Sequence, residues 1–243
     1  MSILTLENVG VSYRGMRALG GVTLSIERGE MIGVAGANGA GKTSLLRAIA
    51  SLVPIDAGRI EFDGSVIADA GAHKRAGVRQ VVRRGMCLVP EGRRLFAGLT
   101  VEDHLRFGAY VVASTESAAT MERVYSIFPK LRERHRQEVS SLSGGEKQMV
   151  AIARALMSKP KLLMIDELSL GLAPVVVNEL IDALVALNAE TGLTIVLVDE
   201  CLGRLGSAVS RVLFLSHGRI QGIRSPQEIQ QQAAKLYLGS EAG

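Results

Sequence analysis

The sequence predicts an α/β protein built on a parallel sheet, with an antiparallel β subdomain at its start and an inserted α-helical subdomain. Three patterns carry that prediction. MIGVAG (31–36), MCLVP (86–90), KLLMID (161–166) and TIVLVD (194–199) are short, nearly continuous apolar runs with helical patterns between them. Such runs suit strands covered on both faces, and the intervening helices supply the crossovers that parallel strands need. Near the N-terminus, ILTLENVGVSY and VTLSIERGE alternate apolar with polar residues, as half-exposed antiparallel strands do. From about Leu95 to Arg136 no comparable run occurs. That stretch opens on a T-x-x-D helix start at Thr100–Asp103 and continues as a charged helix from about Ser117.

The 243 residues can bury a sizeable core. With 47% hydrophobic, 21% charged and only 4% aromatic residues, that core is expected to be aliphatic. No uncharged apolar run reaches the 18 or so residues a membrane-spanning helix requires, and no signal peptide is visible at the start. Cys87 and Cys201 sit in or beside apolar runs and read as buried, reduced thiols. Net charge is +4, with basic clusters at 74–84 and 131–137. These read as solvated helix faces, or as attraction to an anionic membrane surface. Nucleic acid is not expected, because no stacking aromatics are interleaved with the charges.

The first apolar run leads straight into Gly36-Ala37-Asn38-Gly39-Ala40-Gly41-Lys42-Thr43, and Ser44 opens the apolar-periodic SLLRAIASL. This fits G-x-x-x-x-G-K-[ST] between a strand and a helix, the context of a P-loop nucleotide-binding core. Glycines let successive N–H groups turn toward phosphate oxygens, and the helix N-terminus adds partial positive charge. Lys42 is placed to reach the β- and γ-phosphates, and the Thr43 hydroxyl to ligate Mg²⁺. KLLMIDE ends a buried strand in Asp166 and Glu167. Two adjacent carboxylates at such a strand end are costly unless they have a task. Beside a P-loop, Asp166 would hold the metal and Glu167 would polarise the attacking water.

A third motif is LSGGE. Ser143 and Glu146 have capping-box spacing, and Met149, Ile152, Ala153 and Leu156 follow on one helical face. Capping alone does not explain Gly144 and Gly145, each costing about 1 kcal/mol in a helix relative to Ala.

P-loop, Asp-Glu pair and Leu142-Ser143-Gly144-Gly145-Glu146, in this order, resemble the nucleotide-binding subunits of ATP-binding cassette transporters, whose signature loop reads LSGGQ or close to it. The resemblance implies that the signature of one subunit faces ATP held on the P-loop of another. The backbone of Gly144 and Gly145 and the Ser143 hydroxyl would then donate to a partner-bound γ-phosphate. It further implies that Tyr13 stacks on adenine, where the competing reading is a strand aromatic filling the core. Glu91 occupies the position where many cassettes carry a Gln that touches Mg²⁺ and senses the membrane partner. The following RRLFAGLTVEDHL leads into the lobe that docks on the transmembrane subunit. VPEGRRLFAGLTVEDHL, LSGGEKQMVAIARALMSKPKLLMIDE, SLGLAP and the terminal YLG are similar to one branch: the smaller ATP-binding subunit of importers for branched-chain amino acids, with relatives for urea or other amides.

Three positions depart from the family pattern. Leu168 stands where Pro usually follows the Asp-Glu pair. Ala173 stands where many cassettes have an Asp that couples the two sites, an Asp the favoured branch also lacks. Glu200 stands where cassettes have His, or Gln in this branch, donating to the γ-phosphate. An ionised Glu cannot donate. Either Glu200 is protonated or turned away, or hydrolysis at this site is slow, or the change is neutral.

The expectation is therefore an ATP-hydrolysing importer subunit at the cytoplasmic face of the membrane, using ATP and Mg²⁺. Its partners would be a second cassette, identical or not, transmembrane permease subunits and, indirectly, a solute-binding protein. One domain is expected, with core at 1–91 and 151–225, lobe at about 92–150 and tail at 226–243. Two other classes compete. Chromosome or DNA-repair ATPases share the signature but insert long coiled coils, and no sustained heptads separate Lys42 from Ser143. A weakly hydrolysing regulatory module is the other.

Overall fold

The structure is a computed structural model and describes residues 1–199, 208–225 and 227–228. Two sheets organise it. β1 (Ser2–Tyr13) and β2 (Met16–Glu27) form the expected antiparallel pair. β4 (Ala57–Phe62), β5 (Ser65–Asp69) and β6 (Lys74–Arg75) extend it, in the order β2-β1-β4-β5-β6.

The second sheet contains the four apolar runs as β3 (Met31–Ala35), β7 (Met86–Val89), β8 (Leu162–Asp166) and β9 (Thr194–Val198). β10 (Arg211–Ser216) and β11 (Arg219–Arg224) complete the order β11-β10-β3-β9-β8-β7. From β10 to β7 all neighbours are parallel, and β11 closes the edge antiparallel to β10. Alternate residues of each central strand enter different cores. Ile32 and Val34, Leu162 and Met164, and Val196 and Val198 pack toward the antiparallel sheet and α1 (Lys42–Ile49). Leu163 and Ile165, with Ile195 and Leu197, pack toward α6 (Gly144–Leu156) and α7 (Pro174–Thr191). Both faces are covered, which is why these strands read as unbroken apolar runs.

Short α2 (Val78–Arg83) precedes β7. Between β7 and α6 lie α3 (Val101–Gly108), α4 (Ser114–Ile127) and α5 (Pro129–Glu133). Thr100 caps α3 as its spacing predicts: the Asp103 N–H donates to Thr100 Oγ1 at 3.1 Å, and the Thr100 N–H to Asp103 Oδ2 at 3.0 Å. The charged helix begins at Ser114, three residues before the expected start. The expected lobe boundary at 150 falls inside α6, whose buried side chains belong to the same cluster as β8 and α7. Cys87 is free and half-buried, and burial pushes its thiol pKa up. Cys201, Glu200, the terminal YLG and most of the expected tail lie outside the described residues.

A candidate nucleotide site at the carboxyl edge of the parallel sheet

β3 ends at Ala35, and α1 begins seven residues later at Lys42. The turn between them wraps back on itself because Gly41 adopts φ 106°, a conformation that L side chains avoid. A Cβ there would also stand 2.8 Å from the Ala18 carbonyl. The N-terminus of α1 has no side-chain cap, so its first N–H groups remain for an anion. Lys42 is buried and curls over the loop, donating to Gly36 O at 2.7 Å and Ala37 O at 3.2 Å.

Asp166 is the last residue of β8 and only 3% exposed. Burial raises its pKa above the ordinary carboxylate value, and the charge of Glu91 adds to the rise; a hydrogen bond from Thr43 and the charges of Arg47 and Lys42 oppose it. Its Oδ1 has no hydrogen-bond partner. A buried, unpartnered carboxylate oxygen beside a threonine hydroxyl and within electrostatic reach of Glu91 is a donor set suited to a hard divalent cation. No cluster of three or more His, Cys, Asp or Glu residues that could hold a metal ion occurs among the described residues.

Glu167 follows with φ 53°. Its loop is fastened at both sides. The Leu168 N–H reaches Val198 O at 3.4 Å, and Ser169 donates from N and Oγ to the buried Asp199 carboxylate at 2.9 Å each. Leu168 is fully buried. Its packing thus restrains the loop where the family pattern has a proline ring.

These pieces converge. A cleft of about 470 Å³ is lined by the loop from Asn38 to Ser44, by Glu91 and by Glu167, together with Arg17, Ala18, His217 and Gly218. Gly36 and Ala37 are outside this lining, and their carbonyls accept from Lys42. Tyr13 is the last residue of β1, 37% exposed and so not a core aromatic, but it is outside the cleft lining. Arg17, Ala18 and the His217–Gly218 turn were not singled out from the sequence. Their signal is tertiary: Gly218 donates to Ala40 O at 2.9 Å and accepts from Gly20 N at 2.8 Å, bringing a distant turn against the phosphate loop.

The LSGGE segment lies elsewhere. Ser143 caps α6, with the Ser143 N–H donating to Glu146 Oε2 at 2.8 Å and the Glu146 N–H to Ser143 Oγ at 3.3 Å. Burial favours the neutral Glu146 carboxyl, yet those bonds and Arg134, 2.8 Å away, hold its pKa below the usual value. Leu142 is buried in the core. None of the five residues lines the cleft.

The family model described as ABC transporter matches residues 19–169. The chain belongs to the ABC transporter family. As a member it is an ATPase. This cassette is 36% identical over 218 residues to the high-affinity branched-chain amino acid transport ATP-binding protein BraG of Pseudomonas aeruginosa, across 90% of this chain and 91% of that one. It is 30% identical over 245 residues to the lipopolysaccharide export system ATP-binding protein LptB of Escherichia coli, across 99% of each. A solved ATP-binding cassette of an ABC transporter superposes with a TM-score of 0.84 over all of both chains at 23% identity, which speaks for the fold alone.

Proposed function

We propose that this cassette is the ATP-hydrolysing motor subunit of an importer for branched-chain amino acids or a related small polar solute. One observation carries the reading: the P-loop, Glu91 and Glu167 meet in a single cleft with Asp166 beside it, while the LSGGE tip of the same chain stands outside it. A single copy therefore encloses a triphosphate on one side only. A second cassette, identical or similar, supplies Ser143 and Gly144 to the exposed γ-phosphate.

Lys42 and the α1 N-terminus hold phosphate charge, and Glu167 polarises the attacking water. Thr43, Asp166 and Glu91 would hold Mg²⁺, which when bound neutralises charge on the β- and γ-phosphates. Tyr13 offers an exposed ring for adenine.

The lobe supports a permease partner. Phe96, Phe107 and Tyr110 are exposed on it, and Phe107 and Tyr110 border a groove of about 270 Å³ against β7. No helix among the described residues is long and apolar enough to cross a membrane; the likeness to transport ATP-binding subunits supports placing the cassette at the cytoplasmic face, held by permease subunits. The solute is read from the branched-chain relative.

The test is uptake of labelled leucine in cells that lack it, after expressing the cassette with the genes flanking its own. The natural chain restores uptake. Glu167→Gln binds ATP but loses roughly 10²–10⁴-fold in hydrolysis, the usual contribution of a general base, and uptake falls with it. Restored ATPase without uptake of leucine, urea or any small amide overturns the importer reading in favour of export, the activity named for the LptB relative. DNA-stimulated hydrolysis overturns the transport reading altogether.

A further inference from the structure

We infer that Arg93 is a positioning residue that ties the turn carrying Glu91, the tip of α6 and the loop after Glu167 into one moving part. A change at the chain's own cleft then shifts the surface it offers to a partner's nucleotide. The inference rests on the nucleotide-hydrolysing reading above and adds a route between the two sites.

The turn after β7 is an unusual piece of backbone. Gly92, Arg93 and Arg94 have φ values of 74°, 62° and 48° in succession. Two adjacent non-glycine residues in the left-handed region persist only where their surroundings over-determine them. Here α6 does so. Arg154 donates to the carbonyls of Arg93 at 3.0 Å and Arg94 at 2.9 Å. In return the Arg93 side chain reaches back to α6, its Nε donating to Gln148 Oε1 at 2.9 Å.

The second arm of the same guanidinium goes elsewhere. Arg93 Nη2 donates to the carbonyl of Leu170 at 3.1 Å, three residues after Glu167. It also lies 3.9 Å from the point a Cβ on Gly144 would occupy. Gln148 is buried, one helical turn beyond Gly144. One planar fork thus spans three segments that sequence keeps far apart, and a lysine cannot span them in the same way. Ala173 provides no carboxylate on that loop, and this hydrogen-bonded bridge is a polar link between the loop and the α6 tip. Partial burial lowers the pKa of Arg93.

The experiment uses the full chain as Arg93→Lys, Arg93→Ala, Gln148→Ala and the Arg93→Ala/Gln148→Ala pair. Three quantities are measured: MgATP affinity by calorimetry, kcat for MgATP, and amide exchange over residues 91–99, 143–150 and 168–173 with and without MgATP. In the natural chain nucleotide protects all three segments together. In Arg93→Lys, affinity changes little while kcat falls roughly 2- to 30-fold, the size of effect that mutations along a coupled network have. Protection at 143–150 no longer follows nucleotide. The double variant loses little more than either single one, because both remove the same link. Arg93→Lys/Gln148→Glu, with a Lys–Glu pair, recovers part of the rate.

Nucleotide-dependent protection at 143–150 that survives in Arg93→Lys overturns the inference, and so do single effects on kcat that multiply in the pair. Should Arg93→Ala fail to fold, the lysine and Gln148 variants decide. If the natural chain binds no MgATP, the nucleotide reading is what fails. The strut is then judged on exchange alone: Arg93→Lys loosens 91–99 and 143–150 together if it holds, and leaves 143–150 unchanged if it does not.

Discussion

Asp166 concentrates the electrostatic cost of the cleft in one side chain. Its Oδ1 lacks a partner, and burial together with Glu91 disfavours its charge. A carboxyl whose folded pKa is raised helps stability most below its unfolded value, near 3.8, and that contribution is lost as pH rises through the raised pKa. Toward neutral pH the nucleotide-free chain therefore loses that contribution, and the Thr43 hydrogen bond with the charges of Arg47 and Lys42 offsets only part of the cost of the charged form. Asp166→Asn removes it, and a buried unsatisfied charged group costs about 1–3 kcal/mol or more. At roughly 2–4 °C per kcal/mol for a chain of this size, melting in EDTA at pH 7.5 shows a rise of several degrees. The same variant loses MgATP hydrolysis and the stabilisation MgATP gives the natural chain. An unchanged or lower melting point in EDTA contradicts the account. Asp166, Glu167, Lys42 and Thr43 were legible in sequence because each belongs to a motif whose spacing is its mechanism. Arg93 was not, since its partners Gln148 and Leu170 lie 55 and 77 residues away.

Among elements, the buried parallel strands were plain in sequence and two hairpins were passed over. β4–β5 turns through Asp63–Gly64 at φ 50° and 70°, and β10–β11 through His217–Gly218 at φ 47° and 72°. Asp-Gly is among the strongest short-range hairpin signals in a sequence, whereas His-Gly is not, and the second hairpin shows itself only in the backbone. α7 offers a test at this scale. Its N-cap, Ala173, is exposed and extended at φ −66° and ψ 145°, with Pro174 at the first helical position and no side-chain cap. Aspartate there can accept from the free N–H groups of the first turn, and replacing a poor cap by Asp is worth about 0.5–2 kcal/mol. Ala173→Asp therefore raises the melting point of the nucleotide-free chain by a few degrees, with no change in ATP affinity. A drop in stability means that the first turn of α7 is not open to capping.

For the whole molecule, the two signature glycines turn out to be bare for different reasons. A Cβ on Gly145 would stand 2.5 Å from Val176 Cγ1 of α7, so that glycine serves packing within the chain. A Cβ on Gly144 would meet Leu172 Cδ2 at 3.4 Å, the Gly171 carbonyl at 3.8 Å and Arg93 Nη2 at 3.9 Å, all ordinary contacts. The sequence could not separate them, because the distinction lies in where α7 passes. Ser143 Oγ accepts from the Glu146 N–H, which leaves its own proton for another acceptor. Gly144 and Ser143 are thus the residues of the motif free to meet a second copy. Gly145→Ala is expected to cost about 1–3 kcal/mol by overpacking, seen as a lower melting point of the isolated chain. Gly144→Ala leaves that melting point unchanged or slightly raised, since Ala favours the helix. Placed on Glu167→Gln, which traps ATP, it abolishes the nucleotide-dependent dimer in sedimentation while each monomer binds ATP as before. A dimer of undiminished affinity would mean that the diglycine tip does not face the partner's triphosphate, and with it the two-copy mechanism would fall.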